Sequence, residues 1–275
     1  MSHVTMSDGT RIAYRDHPGP GAPRTALLLH GLAGHMGEWD ALIPHLLTAG
    51  FRAVSYDARA HGASTRRPSD VTRAAYVEDA ATLIEELAPG PVTLIGQSLG
   101  GHTAMLLASA RPELVDALVL VEAGPAGPSP DVPARIRGWL DSWPTPFRSR
   151  AEAEGFLGHE GWARGLEERA DGWHPRFDRD RMVESLAELA QNAYWREWSR
   201  ITCPTLVIQG ENGTMRPTEA ADMRELRPDT RVTVVPGAGH DVHLEEPQQL
   251  AEAVEEFTRS VGYDSRSVGY DSNRR

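Results

Sequence analysis

The chain predicts an α/β fold, a mostly parallel, doubly wound sheet interrupted by an inserted helical cap. Three observations predict it. Short β-branched apolar runs alternate with stretches at helical spacing. The alternation lapses between about residues 125 and 200. It then resumes with two more strands and a helix. Strand–helix alternation of this kind implies parallel strands with helices on both faces. Ligand sites in such sheets form at the carboxyl ends of the strands.

Taken in order, the strand candidates are residues 25–29, 51–56, 92–95, 117–121, 205–209 and 231–235. Each is short, apolar and rich in Val, Ile, Leu or aromatic residues. Between them, Trp39, Leu42, Ile43, Leu46 and Leu47 form one helical stripe. Tyr76, Ala80, Leu83, Ile84 and Leu87 form another. Further helical stretches cover 101–111 and 250–257. The segment 125–200 is rich in Pro, Gly, Arg and Glu, and it holds six of the seven tryptophans. These are Trp139, Trp143, Trp162, Trp173, Trp195 and Trp198. Large side chains are what so small an insert needs to bury a core, and together they also suit an aromatic-lined pocket. The expected division is therefore a core of 1–124 and 201–260, a helical cap of 125–200 and a tail of 261–275. In the tail, residues 259–265 read RSVGYDS and recur unchanged over 266–272. Glycine and the scarcity of apolar residues argue against a coiled coil. A mobile tail is one reading; a strand-like tail docking on a partner subunit, as in a homodimer, is the other.

Composition excludes several classes. The net charge of -11 disfavours nucleic acid, whose phosphates need a basic face. All 28 basic residues are arginine, so neither a Schiff-base lysine nor a P-loop lysine is available. No run of about 18 apolar residues marks a membrane span. The first 25 residues lack the basic start and apolar stretch of a secretory signal, and a cytoplasmic location is expected. Cys203, the single cysteine, sits in an apolar run and reads as a small buried hydrophobe. No Cys/His cluster has zinc spacing, so no metal site is expected.

The chemistry concentrates in a few blocks. Val92-Thr93-Leu94-Ile95-Gly96-Gln97-Ser98-Leu99-Gly100-Gly101 runs a buried strand into Gly-x-Ser-x-Gly and on into a helix. That is the context of a nucleophile elbow, in which small neighbours let the serine occupy a sharp turn. A serine hydroxyl needs a base to take its proton. Pro236-Gly237-Ala238-Gly239-His240 follows the last strand and supplies one in His240, with His243 as a rival. An oxyanion hole needs two preorganised N–H donors. Leu99 offers one, and Leu32, in Leu29-His30-Gly31-Leu32, offers the other. His30 reads as a residue that shapes this loop. Asp57 and Arg59 read as a mutual ionic brace of the site floor, and His35 and Glu38 as solvated residues at a helix start.

In order and spacing these blocks, with Asp57-Ala58-Arg59-Ala60-His61-Gly62 and Glu245-Glu246-Pro247, resemble the α/β-hydrolase superfamily over about residues 10–260. Ala60, where the family usually has glycine, is a mild departure. A larger one concerns the acid that orients the histidine. The family commonly places an aspartate in a Gly-x-x-Asp pattern; here the block reads Gly210-Glu211-Asn212-Gly213, and Gly213 has no side chain. Some members carry the acid instead at the end of the strand after the nucleophile helix. The resemblance thereby implies Glu122, in Val121-Glu122-Ala123-Gly124, with Glu211 as its rival. Ser98 excludes the aspartate nucleophile of dehalogenases and epoxide hydrolases of this fold.

The leading expectation is a cofactor-free serine hydrolase of a carboxylic ester or lactone, with Ser98, His240 and Glu122 catalytic and a moderately apolar small-molecule substrate. The resemblance also admits perhydrolases, carbon–carbon bond hydrolases, acyl transferases and natural-product cyclases. A non-catalytic ligand receptor is the third expectation, and intact Ser98 and His240 argue against it.

Overall fold

The structure is a computed structural model describing residues 1–262 apart from 20, 22, 23, 126 and 217. The repeated part of the tail beyond residue 262 lies outside the described residues. The strands are β1 (Ser2–Thr5), β2 (Arg11–His17), β3 (Arg24–Leu29), β4 (Phe51–Tyr56), β5 (Val92–Gln97) and β6 (Val115–Val121). After them come β7 (Leu166–Arg169), β8 (Gly172–Pro175), β9 (Thr205–Gly210) and β10 (Arg231–Val235). Eight of them make one sheet in the order β1-β2-β4-β3-β5-β6-β9-β10. β1 and β2 pair antiparallel at one edge, and from β4 to β10 every pairing is parallel. All six expected strands are present. The antiparallel pair β1 and β2 was not foreseen.

Alternation along the strands sends side chains to opposite faces. Leu27, Leu29, Leu94, Leu118 and Leu120 join one buried cluster, while Ala26, Leu28, Ile95, Ala117 and Val119 join the other. Helices cover both faces. On the second face lie α1 (Ile43–Thr48) and, near the end, α12 (Pro247–Ser260), through Ile43, Leu46, Leu250, Val254 and Phe257. On the first lie α2 (Arg73–Leu87) and α3 (Ser98–Ala110), through Tyr76, Leu83, Met105 and Leu107. The expected stripe from Trp39 to Leu47 is not one helix. Met36–Trp39 is a separate 3-10 turn, and Pro44 opens α1 just after it.

The segment 125–200 holds α4 (Val132–Asp141), α5 (Arg150–Leu157), α6 (Glu160–Arg164), α7 (Arg179–Glu184), α8 (Ala187–Gln191) and α9 (Trp195–Arg200). The expectation of a helical insert is incomplete, because β7 and β8 form an antiparallel hairpin inside it. Gly172, at φ +136°, starts β8 just after the turn, and Phe147 pairs with Trp173 beside it. Trp143, Phe147 and Trp198 are buried and join the first-face cluster, so the insert shares a core with the sheet. Two further helices complete the chain, α10 (Glu219–Leu226) between β9 and β10 and α11 (Val242–Glu245) before α12. Among the described residues no helix is long and apolar enough to cross a membrane.

Candidate active site

Ser98 lies where β5 meets α3, with φ +50°. That left-handed backbone costs a non-glycine residue on the order of 1 kcal/mol, so the surroundings must hold it. They do so through close approach. A Cβ on Gly100 would lie 2.2 Å from the Leu29 carbonyl oxygen, and one on Gly96 would lie 2.6 Å from the Gly100 carbonyl oxygen. No larger residue fits at either position, which explains the glycines flanking the serine. The α3 N-terminus points its unpaired N–H groups and positive dipole end at this corner.

A cavity of about 690 Å³ opens above the carboxyl ends of the strands, bordered by Ser98, Leu99, Leu32, Glu122 and His240. Leu186, Leu189, Trp139 and Trp162 of the insert form its other wall. The cavity therefore brings all five sequence-expected site residues to one place. The Leu32 N–H has no hydrogen-bond partner among the described residues.

The loop carrying Leu32 is shaped by two histidines. His30 Nε2 accepts from the Ala58 N–H at 3.0 Å, and His61 Nε2 accepts from the Ala33 N–H at 3.1 Å. Each ring's Nδ1 then donates to a backbone carbonyl, of Gly31 and Arg59 respectively. Burial holds both rings below the ordinary imidazole pKa, His61 at about 3, so both stay neutral. Asp57 and Arg59 do not brace each other as expected. Asp57 accepts from the Met36 and Ala63 N–H groups, both at 2.7 Å. Arg59 instead forms a two-pronged buried ion pair with Asp79 at 2.6 Å and reaches Asp8 at 3.0 Å.

The vacancy at position 213 is filled from elsewhere. A Cβ on Gly213 would stand 2.1 Å from Glu122 Oε1 and 2.5 Å from Oε2. The Glu122 carboxylate thus sits where a side chain at 213 would begin. Glu122 has φ +49°, at the end of β6, and its side chain is fully buried. Its oxygens accept from the backbone N–H groups of Gly210 (2.9 Å), Thr214 (2.6 Å) and Met215 (3.2 Å). Oε2 also lies 3.3 Å from His240 Nδ1. Burial pushes the carboxyl pKa up, but the hydrogen bonds from His240, Thr214 and Gly210 outweigh it and hold it below 4.5. Glu211 is placed differently, with its carboxylate accepting from the Gly237 N–H at 2.8 Å. Asn212 donates to the Gly237 carbonyl. Both brace the turn before His240, and neither has a hydrogen bond to its ring.

Three features escaped the sequence. Thr214 Oγ1 lies 2.8 Å from His240 Nδ1 and 3.3 Å from Glu122 Oε2, between base and acid. Its only signal was a hydroxyl next to the vacant position. Asp241 accepts from Trp162 Nε1 at 2.9 Å and from Gln97 Nε2 at 3.4 Å, and Gln97 also donates to the His240 carbonyl. The insert, the residue before Ser98 and the histidine loop are thereby tied together. Third, Glu38 is not solvated. It is buried against His243, 3.2 Å from Nε2. Burial raises the Glu38 carboxyl to about 7 and lowers the His243 imidazole to about 4. His35 likewise bonds to Gly37 and to the Gly161 carbonyl. His243 therefore stands behind the loop, away from the cavity, while His240 borders it. Cys203 is buried as expected, and burial pushes its thiol up to about 11. Among the described residues no group of three or more His, Cys, Asp or Glu is placed to hold a metal ion.

A model of the alpha/beta hydrolase family matches residues 26–253. The chain belongs to the α/β hydrolase family. It is 29% identical over 267 residues to the sn-1-specific diacylglycerol lipase ABHD11 of Mus musculus, covering 90% of this chain and 84% of that protein. It is 30% identical to a putative 2-succinyl-6-hydroxy-2,4-cyclohexadiene-1-carboxylate synthase of Bacillus subtilis, over 94% of this chain and 98% of that one. Its fold is similar to that of E-2-(acetamidomethylene)succinate hydrolase, with a TM-score of 0.84 at 23% identity, covering 94% and 98% of the two chains. Members of the family thus share this architecture across different reactions, so the reaction must be argued from the site.

Proposed function

We propose that this α/β hydrolase cleaves a carboxylic ester or lactone through an acyl-enzyme on Ser98. The observation that carries the reading is the Glu122 carboxylate in the space above Gly213, in contact with His240 Nδ1 at the cavity that Ser98 borders. With Nδ1–H donating to Glu122 and Thr214, His240 Nε2 is left as the basic nitrogen. It accepts the Ser98 hydroxyl proton as Oγ bonds to the acyl carbon. The carbonyl oxygen gains charge beside the Leu32 and Leu99 N–H groups. Collapse expels the alkoxide, which takes its proton from His240. Water then gives a proton to His240 and a hydroxyl to the acyl carbon, releasing the acid and restoring Ser98. Glu122 stays ionised throughout and stabilises the imidazolium. No step requires a metal or an organic cofactor. Segment 125–200 acts as the cap, and its tryptophans and leucines suit a moderately apolar small molecule.

The test is turnover of a panel of short and medium acyl esters and lactones by wild type, Ser98→Ala and His240→Ala. The reading requires turnover by wild type and its loss, on the order of a thousandfold or more, in both variants. Full activity in Ser98→Ala overturns it. A second reading is favoured by the relative named a synthase, in which the same serine and histidine act without net hydrolysis. Substrate consumption with no acid released into solution distinguishes it.

A further inference from the structure

Four residues beyond Ser98 on α3 is His102, one turn away and on the same helix face. It is 4% exposed, and its ring borders the cavity. Neither ring nitrogen has a hydrogen-bond partner among the described residues. The ring packs edge-on against Tyr194, with centroids 4.5 Å apart. Leu186, Leu189 and Ile136, which line the same cavity, have no hydrogen-bonding side-chain atoms. Behind the ring, on α2, lies Arg73, 2% exposed. Its guanidinium contacts the Thr103 hydroxyl and the Leu99 carbonyl and stacks 4.8 Å from the Tyr76 ring centre. Its Nε and Nη1 are unpartnered, and Glu188 takes its backbone N–H. Among the cavity's acids, Glu122 is engaged by three backbone N–H groups and Glu219 pairs with Arg216.

Buried polar atoms without partners are rare and unfavourable, so two unpartnered nitrogens of a ring on the cavity wall, with two more on the Arg73 guanidinium behind it, call for a ligand at His102. Burial, and then the Arg73 charge, hold the His102 imidazole well below its ordinary pKa. The ring is therefore neutral, with one donor and one acceptor nitrogen. The guanidinium behind it has Glu188 nearby but no carboxylate in salt-bridge contact among the described residues, so it leaves this wall a positive potential that favours an anionic oxygen.

We propose that His102, backed by Arg73, is a specificity-determining residue that binds a carboxylate in the acyl half of the substrate, about one helical turn from the carbon that Ser98 attacks. The substrate is then the monoester of a dicarboxylic acid, or the lactone of a hydroxy-dicarboxylic acid, with the two carboxyl carbons about four bonds apart. An ester bound at Ser98 extends its acyl chain along the α3 face and turns its terminal carboxylate to the imidazole N–H. The proposal rests on the acyl-enzyme reading above for which carboxyl group reacts, but not for whether a carboxylate binds.

Two measurements test it. The first is equilibrium binding of the free acids glutarate and pentanoate, which differ by a carboxylate in place of a methyl group. Wild type is expected to bind glutarate about tenfold or more tightly, the worth of one charge-assisted hydrogen bond. His102→Leu should bring the ratio close to one, and His102→Gln should restore part of it. The second is kcat/KM for monomethyl glutarate against methyl pentanoate, where the same ratio should appear and collapse in the same variants. The wild-type comparison decides before any variant is made, so a variant that fails to fold does not shield the proposal. Equal or weaker binding of glutarate by wild type overturns it, and so does a preference unchanged in a folded His102→Leu. If glutarate is preferred but neither ester is turned over, the acyl-enzyme reading falls and the carboxylate subsite stands.

Discussion

Replacing Gly213 by alanine adds a single methyl group beside the acid. That methyl carbon would stand 2.1 Å from Glu122 Oε1, 2.4 Å from Cδ and 2.5 Å from Oε2. Non-bonded carbon and oxygen atoms do not approach within about 3 Å without a shift. Gly213 has no positive φ, so the substitution adds no backbone strain and its effect is steric. The carboxylate must therefore retreat by roughly 1 Å, leaving its backbone donors and His240. Removing the acid of a comparable triad lowers kcat on the order of ten-thousandfold. Displacement is milder than removal, and Thr214 still reaches Nδ1, so Gly213→Ala is expected to lower kcat on the order of a hundredfold, with KM little changed. The companion is Glu122→Ala with Gly213→Asp, which empties the site and refills it from the turn after β9. It should recover at least tenfold of the kcat lost in Glu122→Ala alone, since a carboxylate again meets Nδ1. Steady-state ester hydrolysis on folded variants, verified by circular dichroism, reads both. Full kcat in Gly213→Ala, or a double variant no better than Glu122→Ala, refutes the relocated acid.

Other expectations follow from neighbouring contacts. Thr214→Val removes the hydroxyl 2.8 Å from His240 Nδ1 and should lower kcat about tenfold, the worth of one hydrogen bond, while Thr214→Ser keeps most of it. Burial raises Glu38 from 4.5 to about 7, so the fold favours its protonated form. That preference stabilises the fold below pH 4.5 and is lost as pH rises through about 7, a change on the order of 3 kcal/mol. Glu38→Gln, which cannot ionise, should therefore gain stability relative to wild type between pH 5 and 8 in urea unfolding; a flat difference contradicts this. Asp79→Asn strips the carboxylate from buried Arg59 and should destabilise by about 3–5 kcal/mol. A loss under 1 kcal/mol would mean that Asp8 alone satisfies the guanidinium.

What could be read beforehand follows from how local each signal is. The nucleophile turn is written in six consecutive residues, and its glycines are demanded by the Leu29 and Gly100 carbonyls. The central parallel strands, such as β3 and β6, are buried on both faces, so they read as continuous apolar runs. β2, at the antiparallel edge, buries only Ile12 and Ala13 of its seven residues and carries no such run. The hairpin β7–β8 (Leu-Glu-Glu-Arg, then Gly-Trp-His-Pro) has little strand propensity, and contact with Phe147 helps define it. Glu122 came from the resemblance, which puts the acid of some members at the end of the strand after the nucleophile helix, and its carboxylate lies 3.3 Å from His240 Nδ1. Glu38 was not, since its partner His243 lies 205 residues away and a lone glutamate at a helix start reads as solvated. The expected Asp57–Arg59 brace failed for the same reason. Both are held by tertiary partners, Met36 and Ala63 in one case and Asp79 in the other.

The central claim is a nucleophilic Ser98 activated by His240 and Glu122. Intact-mass and peptide mapping after treatment with a fluorophosphonate tests it most directly. The account predicts one adduct, on the peptide bearing Ser98, formed at least tenfold more slowly in Glu122→Gln and absent in Ser98→Ala. An unmodified Ser98 in the folded protein, or an equal labelling rate in Glu122→Gln, would contradict it.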